Sequence, residues 1–264
     1  MSDGMQNEFM RVVQDVLLDY ATTCGVNGFD GQVIITDNMA DAYAGLRRDL
    51  VDNGTRDLSD IQAFHGLTVQ PIEPSGKFTI LLNKEYIIES INKQNVDWLG
   101  TLVHEAVHVN DFKDYFNLIQ PDSFDELYSF NKHRMFLYWT EFHARAIGHY
   151  FLRKYTLGDF KGTVHLENLL NYELPYQIQY MVTEVSATDN MDRQMYVVVH
   201  FLGRLAIWQH LYPDVFDTSF MEQLLCGNPW MEELYYFLIK YEKLNDIHPH
   251  FVDLENILDK HFCG

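Results

Sequence analysis

Long apolar runs are missing from this chain. The longest, such as MYVVVHFLG and YYFLIKY, fall far short of the ~20 residues that a membrane helix needs, so no spanning helix is expected and no membrane partner. Cysteine is scarce too. Cys24, Cys226 and Cys263 are far apart and odd in number, which excludes a disulfide framework and a CxxC metal pair and fits a reducing, cytoplasmic setting. The first residues, MSDGMQNEFMRVVQDVLLDY, lack the basic-then-apolar layout of a secretory signal. Bases are few: 19 Lys and Arg stand against 38 Asp and Glu, a formal charge of -19, which repels phosphate backbones and argues against nucleic acid as a partner. Neutral or cationic partners suit that field, although acidity that serves only solubility explains it equally well. Nothing in the sequence indicates an oligomeric state.

Strand signals are also rare, and they are confined to the first third. QVIIT (32–36), FHGLTVQP (64–71) and KFTILLN (77–83) are short, β-branched and bounded by Gly, Pro, Asn or Asp. An amphipathic helix over 6–22 precedes them, and NMADAYAGLRRDLVD between them reads as helical. Beyond residue 84 helical periods recur at about 96–113, 123–157, 164–187, 191–211, 217–225, 229–243 and 251–262, with Pro121, Pro175, Pro213, Pro229 and Pro249 at starts or breaks. The class is therefore α+β, mostly α-helical, with a small N-terminal β-sheet. With 47% hydrophobic and 14% aromatic residues there is ample material for a core. A single unit over 1–264 is the simplest organisation, with sub-lobes 1–115 and 116–264 as the alternative.

What the chain does have is TLVHEAVHVND, residues 101–111. Residues four apart on a helix lie one above the other, so His104 and His108 present their imidazoles to one point. Glu105, rotated by about 100°, stays off that point and can instead contact a water bound there. Two neutral nitrogen ligands, an open coordination site and a carboxylate base are the parts of the HExxH chemistry of metallopeptidases. The competing readings are two core histidines and a surface glutamate. The flanks WLGTLVHEAVHVNDF are free of proline, Gly100 and Thr101 keep the approach small, and the strand FTILLN precedes the helix.

A catalytic zinc usually takes three protein ligands. No third histidine follows at metzincin spacing, and the best supplier is Glu141 in YWTEFHARAIGHY, beside the small Ala144 and Gly148. Its rivals are Asp111, Asp114 and His143, or a salt bridge to Arg145. Asp111 reads either as an acceptor fixing a ligand ring or as an exposed helix-end acid. His200 and Arg204 in YVVVHFLGRLAIW, and more weakly Tyr138, are candidate donors to a developing oxyanion; internal satisfaction by acids elsewhere is the competing account.

HExxH followed some thirty residues later by a Glu on a second helix resembles the gluzincin group of zincin metallopeptidases, over residues 77–150. The resemblance implies a zincin-like fold with an active-site helix, Zn2+ as cofactor, and His104, His108 and Glu141 as metal ligands. It also implies Glu105 as general base and a peptide or protein as substrate, hydrolysed by metal-activated water. The family's NExxSD-like signature is replaced by TEFHARA. A zincin fold that binds without turnover, or a structural subunit, is the alternative.

Overall fold

The computed structural model describes residues 3–52, 54, 58–157, 163–225 and 227–262. It divides the chain into two compact units, Met1–Ser129 and Phe130–Gly264. The sub-lobe boundary expected at 115 falls inside a continuous helix, where Tyr115 is fully buried; helical hydrogen bonds carry the first unit past that point.

The first unit holds helix α1 (Asp3–Cys24), strand β1 (Gln32–Thr36), helices α2 (Met39–Leu46) and α3 (Arg48–Asp52), strands β2 (Gly66–Val69) and β3 (Thr79–Asn83), and helices α4 (Lys84–Asn92) and α5 (Asp97–Ile119). The sheet runs in the order β1-β3-β2, with β1 parallel and β2 antiparallel to β3. FTILLN thus supplies the central strand. Every residue of β3 is buried, as a near-continuous apolar strand covered on both faces should be. The two edges of the sheet are β1 and β2. Met39, Tyr43, Ile61, Val69 and Leu81 form the core beneath the sheet.

Helix α4 was not among the expected elements. Asn83, the last residue of β3, turns the chain directly into it by accepting from the backbone N–H groups of Glu85 and Tyr86. Helix α5 runs beyond the expected 113 and stops where Gln120 enters the left-handed region at φ 56°. It is buried nearly all round, through Leu102, Val103, Ala106, Val107 and Val109, so it lacks the apolar stripe of a surface helix.

The second unit contains α6 (His133–Leu157), α7 (Thr163–Asn168), α8 (Leu174–Ser186), α9 (Met191–Leu211), α10 (Thr218–Leu225), α11 (Pro229–Ile239), α12 (Leu244–Ile247) and α13 (Phe251–Phe262). The helix expected over 123–157 is preceded by a separate 3-10 turn, Asp125–Ser129, in the first unit. The one expected over 164–187 is interrupted by a π-turn, Leu169–Glu173, just before Pro175, whose ring and missing N–H disfavour regular pairing with the preceding turn. Helices α6 and α9 pack tightly at Gly203, where an added Cβ would lie 2.8 Å from the Phe142 carbonyl oxygen and 3.0 Å from Arg145 Cβ. The missing side chain at Gly203 permits this contact. No helix among the described residues is long and apolar enough to cross a membrane.

Candidate metal centre

Helix α5 brings His104 and His108 together as their spacing requires. Both are buried, their rings are nearly perpendicular at 88°, and their Nε2 atoms are 3.0 Å apart. Two neutral imidazole lone pairs facing each other at that distance repel unless a proton or a cation lies between them. A tetrahedral zinc with bonds of ~2.0–2.1 Å would set two nitrogens about 3.3 Å apart, so the pair fits this metal with little movement. The donor chemistry also fits: neutral imidazole nitrogen is a common zinc ligand.

Glu105 is not a surface glutamate. It is buried on the side of α5 that faces β2, and Thr68 Oγ1 lies 2.9 Å from both its carboxylate Oε2 and its backbone oxygen. One hydroxyl proton serves both acceptors, which anchors the carboxylate. Two residues before Thr68, Gly66 leaves the room that this carboxylate uses. A Cβ there would meet Thr101 Cγ2 at 2.7 Å, Glu105 Cγ at 3.0 Å and Glu105 Oε1 at 3.1 Å. The small face at Thr101, expected to admit a ligand, is therefore filled by β2.

Thr68 and Gly66 escaped the sequence reading. HGLTV looks like any short strand, and only the Gly two residues before a Thr hints at a close neighbour. His65 and Tyr86 were missed as well. Their rings stack at 3.8 Å, and the Tyr86 hydroxyl is 3.4 Å from Thr101 Oγ1. Asp111 is buried at 4% exposure in mid-helix, which removes the exposed helix-end reading. Asp114, by contrast, is exposed.

In the second unit, α6 and α9 join Glu141, His200 and Arg145. His200 Nε2 is 2.8 Å from Glu141 Oε2, and its Nδ1 is 3.1 Å from Arg145 Nη2. Burial, and then Arg145, pull the His200 imidazole down to about 3 against the opposing pull of Glu141, so the ring is neutral at ordinary pH. Only one tautomer suits both neighbours. Arg145 donates to Nδ1, and the Nε2–H donates to the Glu141 carboxylate.

This arrangement differs from the expectations in two ways. Arg145 does not reach Glu141 directly, because His200 stands between them. His200, expected as an oxyanion donor, spends its single proton on Glu141. Tyr138 is likewise engaged, by Arg134 Nε at 2.7 Å and by Asp192 through a short hydrogen bond, and burial followed by Asp192 raises its hydroxyl far above the ordinary tyrosine range. The rival ligand His143 stacks on Trp139 at 5.0 Å. Arg204 makes no hydrogen bond or ion pair among the described residues.

No protein-family model, curated protein or solved structure matches the chain. The chemistry of the site therefore rests on its own residues.

Proposed function

We propose that the protein is a zinc-dependent metallopeptidase of zincin-like fold, with His104, His108 and Glu141 as metal ligands and Glu105 as general base. The observation that carries this reading is the pair of buried Nε2 atoms 3.0 Å apart on α5, beside a buried glutamate anchored by Thr68. A bound zinc would supply Lewis-acid polarisation of the scissile carbonyl and make water acidic enough to lose a proton near neutral pH.

The chain's own residues do the rest. Glu105 removes a proton from the attacking water and returns it to the leaving amine nitrogen as the C–N bond breaks. Thr68 holds the carboxylate in place for both transfers. His200, by donating to Glu141, stabilises that carboxylate in its ionised form and fixes its orientation, a role that replaces oxyanion donation. Of the oxyanion candidates this leaves Arg204 without a partner among the described residues. β2 is an edge strand of the sheet, the kind of element to which an extended peptide can add. A cytoplasmic setting goes with the few, widely spaced cysteines of the sequence.

Zinc content and turnover of a mixed peptide substrate, measured on wild type and Glu105→Gln, test the proposal. Zinc bound at one equivalent in both proteins with a 10²–10⁴-fold loss of turnover in the variant is expected from loss of a general base. Equal turnover in the two proteins removes the mechanism.

A further inference from the structure

Where α6 meets α9, the described residues gather more arginines than hydrogen-bonded acids. Helix α6 places Glu141, Arg145, His149 and Arg153 at four-residue intervals, one above the other, and α9 adds His200 and Arg204. Among the described residues two acids are hydrogen-bonded to this cluster. Glu141 accepts from His200, and Glu173 takes Arg153, which also reaches His149 Nε2 at 3.3 Å.

The imidazoles add no balancing charge. Burial, and then the surrounding arginines, hold His149 far below the ordinary histidine range. Three arginines therefore face two glutamates. Arg145 Nε is buried without an acceptor among the described residues, and Arg204 has neither a hydrogen bond nor an ion pair there. Desolvation, and after it the like charge of Arg145, draw Arg204 down to about 9.

Glu173 acts on Arg204 only through space, and a guanidinium so buried without a hydrogen-bonded acid is costly; in a chain of formal charge -19 it is also an exception. What removes the cost is an anion. A guanidinium fork matches a carboxylate bidentately, and Tyr180 and Tyr196, both close enough to bear on Arg204 and about half exposed, connect the site to solvent.

We propose that Arg204, supported by Arg145, binds a carboxylate of the peptide substrate. The carboxylate is either the peptide's C-terminus or an acidic side chain. Calling the ligand a substrate rests on the peptidase reading; the anion site itself does not. Arg145 reaches Glu141 through His200, so an anion held between Arg145 and Arg204 lies one residue away from the proposed third ligand. That places recognition beside the chemistry and favours cleavage near the recognised carboxylate.

The test uses the full-length Glu105→Gln protein and dye-labelled mixed-sequence tripeptide pools, read by fluorescence anisotropy. One pool has free C-termini and a second is C-terminally amidated. Two further amidated pools end in Asp or Asn. At least tenfold tighter binding of a carboxylate-bearing pool is expected: preference for the free acid identifies the terminal carboxylate, and preference for Asp over Asn identifies a side chain. Equal affinities, or no binding by any pool, overturn the proposal.

Arg204→Met is expected to abolish the preference, and Arg204→Lys to keep part of it. A folded Arg204→Met protein that retains the full preference overturns the assignment to Arg204. Should Arg204→Met fail to fold by circular dichroism, the Arg204→Lys protein and the four pools still decide. Cleavage by zinc-loaded wild type is scored separately. Cleavage without carboxylate preference removes the anion site and leaves the peptidase; carboxylate-selective binding without cleavage does the reverse.

Discussion

Both units bury histidines inside long helices, but they satisfy them differently. In the first, His104 and His108 turn their Nε2 atoms toward each other, and the carboxylate beside them is anchored by a neutral hydroxyl from β2. In the second, His200 is threaded between Arg145 and Glu141, His149 receives Arg153, and three arginines stand among two glutamates where α6 meets α9. The first pattern brings two ring nitrogens to a distance that a proton or a cation can bridge, and the second leaves Arg204 without a hydrogen-bonded acid among the described residues. Burial of polar groups costs free energy in either case, so the kind of partner still wanted indicates the chemistry of each unit.

The sharpest way to break this comparison is to remove one imidazole. His108→Ala should reduce bound zinc from one equivalent to none at micromolar metal, measured by atomic emission on the dialysed protein; zinc retained in full would move the metal away from α5. Acid should next single out the second unit. His133 is held down to about 4 by burial, and His149 is held lower still. The unfolded chain therefore binds protons first as the pH falls below ~6.5. The stability contributed by the neutral folded rings is complete above that pH and is lost as the pH approaches 4, by roughly 3 kcal/mol for His133 alone. Hydrogen exchange at pH 7 and pH 4.5 should show protection falling more over residues 133–157 than over 97–119.

A pair of glycines sharpens the contrast on a smaller scale. In Gly203→Ala the new methyl meets backbone atoms of α6, which cannot turn aside, and a loss of about 3 kcal/mol in urea unfolding is expected. In Gly66→Ala it meets the Thr101 methyl and the Glu105 side chain, which can give way. The expected cost is about 1 kcal/mol, with turnover reduced through the displaced Glu105. Thr68→Val should have the mildest effect. It leaves zinc content unchanged and lowers kcat about tenfold, because one anchoring hydrogen bond to Glu105 is worth on the order of 1–1.5 kcal/mol.

Much of this was legible beforehand. The strands at 32–36 and 77–83, the helices at 191–211 and 251–262, and the predominance of helix after residue 96 follow from periodicity, β-branching and proline placement. Helix α4 was hidden because its start depends on Asn83, a residue that also ends a strand. The order of the sheet was hidden for a different reason: TILLN announces burial, but neither its pairing partners nor its central position is encoded locally.

The same division runs through the candidate site. The sequence by itself determined that the imidazoles at 104 and 108 share a helix face with Glu105 turned aside, because a helix repeats every 3.6 residues whatever surrounds it. Only the tertiary structure decided that Thr68 anchors Glu105, that His200 serves Glu141, and that Arg204 makes no bond among the described residues. Those contacts join residues 37 and 59 positions apart, and packing of whole elements, not any local repeat, sets which side chains meet.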